Sequence, residues 1–179
     1  APHAVSDLSA RFPRRRLDGE VIRDAMLAAA DLLTTERGGQ GVMPPLPEEL
    51  VGTLLKGQWK ASDREADHYR RSIYVFARRN LRYPIFEAFD RPDGSASCAL
   101  RSRSTTAPQS LVLLNSELSL LAARHLAARV VSASDEPARQ IEGLYMIVYG
   151  RGPSAAESDR LQPFVAEQPE RSEDGKPSD

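Results

Sequence analysis

From Asp18 onward apolar residues recur every three or four positions: Val21, Ile22, Ala25, Met26, Ala29, Leu32 and Leu33. That period predicts a helix over about 18–36 with one buried stripe. Asp18 suits its N-cap, because a carboxylate there accepts from the free backbone donors of the first turn. Leu17 and Ile22 have the spacing of a hydrophobic staple. Gly38 and Gly39 offer the left-handed backbone that ends a helix. Glu20, Arg23, Asp24 and Asp31 fall on the polar side and are expected to face solvent.

The pattern then breaks. Pro44, Pro45 and Pro47 forbid a continuing helix, although Pro47 can open a short one through Leu55 with Glu48 and Glu49 in its first turn. Trp59, the only tryptophan, reads as a packing anchor or an aromatic platform for a sugar, and the polar run 61–67 reads as a surface loop. Ile73, Tyr74, Val75 and Phe76 are apolar on both alternating faces, which predicts a short buried strand. Residues 98–102 are its candidate partner. Pro84 can start a helix through Phe89 with Ile85, Phe86 and Phe89 inward, and Asp90–Gly94 has the chemistry of a tight turn.

Helical periodicity returns after residue 105. Thr106 and Gln109 match a capping box before the apolar run Leu111–Leu114, which predicts a buried helix over 107–114. Asn115 or Ser116 breaks it and caps the next, 116–131. Pro137 opens 136–149, which Gly150 stops, and Ser154 with Glu157 forms a second capping box before 155–167. Residues 136–167 therefore predict a helical hairpin. The fold class is mainly α, with that hairpin near the C-terminus and one short β element. The expected organisation is an irregular arm over 1–16, anchored by Phe12 and carrying the basic knot Arg14–Arg16, a single helical domain over 17–167, and a disordered acidic tail over 168–179.

Charge narrows the function. With 24 basic and 25 acidic side chains the formal net charge is −1, so no global field draws the chain to nucleic acid or to a membrane surface. The basic residues are nearly all arginine, lysine occurring only at positions 56, 60 and 176. Genome composition explains that bias; so does recognition of carboxylate or phosphate by forked guanidiniums. Cys98 is the only cysteine, which rules out an internal disulfide or a cysteine metal cluster; a small buried thiol is expected. No apolar run reaches the length of a membrane span, and no secretory leader opens the sequence, which starts like the middle of a longer polypeptide. His3, His68 and His125 share no metal-binding spacing. There is no nucleophile elbow, phosphate loop or CxxCH haem attachment site.

The chemistry-bearing residues that remain are Arg78, Arg79, Asp90, Arg101, Arg103, Thr105, Thr106, Gln109 and Asn115. They fall near element ends, where loops converge. Asp90 among arginines would be held ionised, which suits a structural ion pair better than a general acid. Thr106 and Gln109 are accounted for as a cap, and Asn115 as a helix break. The same set could also line a binding or catalytic site.

The segments RFPRRRLDGEVIRDAML, GG followed by PPLPEEL, RRSIYVFARR, FEAFDRPDGSASCALRSRSTTAPQSLVLLNS and LYMIVYGRGPSAAE occur in this order. Together they resemble the planctomycete PSD-type C-terminal domain of unknown function, over roughly residues 7–167. The positions matching that pattern are Arg14 to Asp18, Arg23, Asp24, Arg71, Ser72, Arg79, Phe89, Asp90, Pro92, Cys98, Arg101, Thr105, Thr106, Gln109 and Asn115. The resemblance implies a C-terminal module of a large exported protein, hence an extracytoplasmic location. A second planctomycete domain of unknown function, and often a cytochrome-c-like domain, would precede it, with further helices upstream of Asp7. Any haem c would belong to such a neighbouring domain. The leading expectation is a non-catalytic module that packs on the upstream domain of its own polypeptide or binds a ligand, such as a carbohydrate outside the cell. The alternatives are part of a carbohydrate-directed enzyme, with Asp90 and the arginines in a cleft shared with another domain, and an anion or nucleic-acid binder. The neutral net charge argues against nucleic acid.

Overall fold

The computed structural model describes residues 16–167 except Lys56 and Asn80. The expectations for Phe12, for Arg14 and Arg15 and for the tail 168–179 lie outside the described residues.

Helix α1, Gly19–Ala29, starts where the periodicity begins but stops seven residues before the predicted end. Asp31 takes a left-handed backbone, φ 59°. The Leu32 N–H donates back to the Leu27 carbonyl and the Asp31 N–H to that of Ala28. This is the double-bonded Schellman ending, built here on aspartate rather than glycine. Gly38 and Gly39 do adopt positive φ, but in the loop that follows. At the other end Asp18 holds the N-cap backbone geometry without a side-chain capping bond; its carboxylate is drawn instead to Arg101 and Arg103. Leu17 is exposed, so the staple is open.

Two short helices follow, α2 (Glu48–Thr53) and α3 (Glu65–His68). The second falls partly in the run expected to be a loop. The predicted strand at Ile73–Phe76 is replaced by a 3₁₀ turn, Ser72–Tyr74, and a single parallel bridge from Val75 to Val42. The Val42 N–H donates to the Tyr74 carbonyl at 2.8 Å and the Phe76 N–H to that of Val42 at 2.9 Å. The partner is thus the loop after α1 and not residues 98–102. Only Val75 is buried, while Ile73 is 75% exposed; the turn rotates alternate side chains out of the core that a strand would have filled. The described residues contain isolated bridges but no strand. Trp59, half-buried, donates its indole N–H to the Pro44 carbonyl at 2.8 Å.

Helix α4 (Pro84–Ala88) begins on its proline and buries Ile85 and Phe86, with Phe89 just beyond. Its end repeats that of α1. Asp90 has φ 61°, the Arg91 N–H donates to the Phe86 carbonyl and the Asp90 N–H to that of Glu87. The four remaining helices lie close to their predicted bounds: α5 Ala107–Asn115, α6 Glu117–Ala133, α7 Pro137–Tyr149 and α8 Ala155–Ala166. Both capping boxes are present, and Gly150 ends α7 at φ 66°.

The core is small and lies among the early elements: Val42, Val75, Ile85, Phe86 and Phe89, with Ile22, Met26, Val112 and Leu118 packed against it. Helix α1 lies on α4, on the 3₁₀ turn and on α6. A Cβ on Gly19 would come within 3.1 Å of the Ile85 carbonyl oxygen and of Phe89 Cβ, so glycine is what lets α1 meet α4 this closely. The C-terminal helices stack in succession, α7 on α6 and α8 on α7. Helix α5 corrects the expectation of a buried element, since Leu111 is 58% and Leu114 70% exposed. Its main helix neighbours are α4 and α6, and they leave much of a helix that is apolar nearly all round exposed. No single helix in the described residues is long and apolar enough to cross a membrane.

Candidate functional site

Asp90 sits at the left-handed end of α4, with its carboxylate turned to the loop before α5. Oδ2 accepts from the Ser104 N–H at 2.7 Å and from Arg16 Nη2 at 2.7 Å, and both oxygens accept from the Ser104 hydroxyl at 2.8–2.9 Å. The Ser104 backbone donor and then its hydroxyl hold the Asp90 carboxyl below its ordinary pKa; burial opposes them, and the charge on Arg16 adds the smallest lowering effect. Arg16 also lies over the Phe89 ring, 5.3 Å from its centroid, and donates to the Phe89 carbonyl. The single arginine ion-paired with Asp90 among the described residues is thus Arg16, the last residue of the basic knot. Arg78, Arg79 and Arg101 make no ion pair with it.

Gln109 completes this clasp. Its Oε1 accepts from the Thr106 N–H at 3.4 Å, the reciprocal half of the capping box. Its Nε2 donates to the Ala88 carbonyl at 3.0 Å and to Ser104 Oγ at 3.1 Å. The side chain therefore ties the end of α4 to the start of α5, and it is buried. Thr105 and Thr106 are exposed beside it. Asn115 is the exposed last residue of α5; Ser116 is what caps α6, accepting from the Ser119 N–H at 3.2 Å.

The arginines gather elsewhere. Arg78, Arg79 and Arg101 line a hollow of about 360 Å³ together with Arg82 and Arg91. Arg101 donates to both Glu20 carboxylate oxygens at 3.0–3.1 Å and lies 3.6 Å from Asp18; its pKa is raised, chiefly by the Glu20 bonds. Arg103 reaches Asp18 at 3.8 Å. Cys98 lies in the exposed loop nearby with its thiol against the Leu100 carbonyl, so the expected buried thiol is not found: residues 93–103 are exposed throughout. The sequence candidates thus divide into an Asp90–Gln109 clasp, an arginine-lined hollow and the end of α5.

Arg23 is the residue whose place the periodicity misses most. Assigned to the solvent face, it is 1% exposed. Nη1 donates to the Arg70 carbonyl at 2.8 Å and to Ser72 Oγ at 3.2 Å, and Nη2 to the His68 carbonyl at 2.6 Å. Its neighbour Asp24 accepts from the Ser72 N–H at 2.7 Å. Together they fasten α1 to the 68–72 turn. Arg70, also buried, stacks on Tyr74 at 4.0 Å and donates to the carbonyls of Glu36, Gly38 and Gln40. The signal for this was local: an arginine one position off an apolar stripe can serve carbonyls of a neighbouring turn. Beside Arg23 a largely apolar cavity of about 440 Å³ opens between the proline loop at Pro44–Pro47, Tyr83, Val112 and Leu121.

No group of three or more His, Cys, Asp or Glu side chains among the described residues is arranged to hold a metal ion. The molecule is a helical domain whose buried polar groups mostly serve its own loops and helix ends. It belongs to the PSD1 family, described as proteins of unknown function (DUF1553), whose model matches residues 3–165. No curated protein and no solved structure matches the chain.

Proposed function

We propose that this domain is a non-catalytic, accessory module that packs against a neighbouring domain of its own polypeptide. The observation that carries this reading is the distribution of exposed apolar side chains. Of seventeen large hydrophobic residues exposed among the described positions, ten lie on α5–α8, including Leu111, Leu114, Met146, Tyr149 and Phe164. Scattered exposed apolar residues are ordinary, whereas concentration on one set of elements marks a surface that meets another. Asp90 supports the same reading. A carboxylate already engaged by Ser104 and Arg16 is a framework group, not one poised to exchange a proton with substrate.

The resemblance to planctomycete PSD-type domains extends the proposal to an exported, cytochrome-linked multidomain protein working outside the cytoplasm. A c-type haem is held by two thioether bonds, and this chain has one cysteine and no CxxCH. Its residues do not fit that attachment, so the haem would belong to a neighbouring domain.

The test is hydrogen exchange on this chain with and without the segment its gene encodes immediately upstream. Added upstream segment should slow exchange in α5–α8, and Leu114→Asp with Phe164→Asp should abolish the effect while leaving the melting temperature of the isolated chain unchanged. Equal exchange in α5–α8 with and without that segment would overturn the proposal.

A further inference from the structure

The hollow beside the 76–82 loop carries more positive charge than the fold accounts for. Five arginines line it, Arg78, Arg79, Arg82, Arg91 and Arg101, against one acidic residue, Asp93. Three of the five have counter-ions: Arg82 lies 3.5 Å from Asp93, Arg91 3.3 Å from Glu20, and Arg101 3.0 Å from Glu20. Arg78 and Arg79 have no carboxylate partner among the described residues. Counting Glu20 and Asp18 with the lining still leaves these two charges over.

The two lie beside an antiparallel bridge between Arg78 and Leu81. Leu81 is buried and anchors the loop. Arg91 lies over the Phe86 ring, 4.8 Å from its centroid, and 3.3 Å from Glu20, so its position is set before any ligand arrives. Like charges gathered at one concave surface repel one another, and a fold that needed only solubility would disperse them. A guanidinium is the side chain suited to a planar or tetrahedral oxyanion, which it grips through two parallel N–H donors.

We infer that this hollow is a binding site for a small oligoanion, a ligand carrying at least two phosphate, sulfate or carboxylate groups. Arg78 and Arg79 supply the uncompensated charge, and Arg82, Arg91 and Arg101 form a pre-oriented wall. A volume of about 360 Å³ is that of a small-molecule site. Bound in this hollow, the oligoanion would leave α5–α8 untouched, so the inference stands apart from the docking surface proposed above.

Calorimetric titration of the whole chain at low salt tests it with three probes: tripolyphosphate, a sulfated heparin disaccharide and digalacturonate. At least one should bind saturably at one site, with affinity falling as salt rises, and which one binds identifies the acid group. Arg78→Gln with Arg79→Gln should weaken that binding about tenfold or more without moving the melting temperature. Arg79→Lys, which keeps the charge and loses the fork, should fall between. Arg139→Gln with Arg160→Gln, on α7 and α8, should change nothing. If Arg78→Gln lowers the melting temperature, exposed Arg79→Gln alone carries the test. Absence of saturable binding by all three probes, or binding equally strong in the Arg79→Gln protein, would overturn the inference.

Discussion

Two residues show how far a side chain's role departs from its type. Arg23 is charged and sits one position off an apolar stripe, yet it is buried, donating to the carbonyls of His68 and Arg70. Replacing it by methionine keeps the volume and strands both carbonyls. Arg23→Met should therefore lose about 3 kcal/mol in urea denaturation, and a loss under about 0.5 kcal/mol would show that water satisfies them. Asp90 and Glu157 couple the fold to pH. Ser104 and Arg16 depress the first, Arg151 and then Ser154 the second. A carboxylate whose folded pKa lies below its unfolded value stabilises the fold fully above the unfolded value, and the stabilisation disappears as pH falls through the folded one. Thermal stability should accordingly decline from about pH 4 downward. Asp90→Asn should melt lower than the parent at pH 7 and show a flatter acid limb. An unchanged melting temperature at pH 7 would return Asp90 to the list of groups free to act on a ligand.

At the scale of elements, caps were the most legible feature and also the one most enriched by tertiary contact. Thr106 and Gln109 announce a helix start, and α5 begins on Ala107. The pair are nonetheless unequal, because Gln109 also bonds Ala88 and Ser104 and is buried, while Thr106 is exposed. Thr106→Ala should cost about 0.5 kcal/mol, the low end for a cap, whereas Gln109→Ala should cost about 2 kcal/mol. Chemical denaturation of both variants decides this, and equal losses would mean that Gln109 acts as a cap alone. The helix ends were harder to read. Aspartate in the left-handed region is uncommon enough that Gly38 looked the better terminator for α1, yet Asp31 ends it and Asp90 ends α4 in the same way. The four-residue apolar stretch at Ile73 reads as a buried strand from its residues alone, and the structure gives it a 3₁₀ turn with a single bridge to Val42 instead.

For the whole molecule, the core and the exposed apolar surface lie in different places. Residues that pack most tightly come from the 19–89 region and one side of α5 and α6, while α7 and α8 form a hairpin held chiefly by successive neighbours. Stability should be graded to match. In native-state hydrogen exchange, amides of α8 and the second half of α7 should open at lower free energy than those of α1 and α4. Uniform protection across all helices would show that the hairpin is part of one cooperative unit.

The sequence by itself determined the helical class, the bounds of the last four helices to within about two residues, the two capping boxes and the hairpin. Each rests on interactions within a few residues of one another, such as periodic burial, caps, proline at a first turn or glycine at a last. Which residues come to share a site was decided only in the tertiary structure. Arg16 meets Asp90, Arg101 meets Glu20, and Arg23 meets Ser72 across separations of 74, 81 and 49 residues. The candidate residues near Asp90 were individually visible, but their division between a clasp and an arginine-lined hollow was not. The burial of Leu111 to Leu114 was misread for the same reason. An apolar run states that a surface should be covered, and only the arrangement of neighbouring helices states whether this chain covers it.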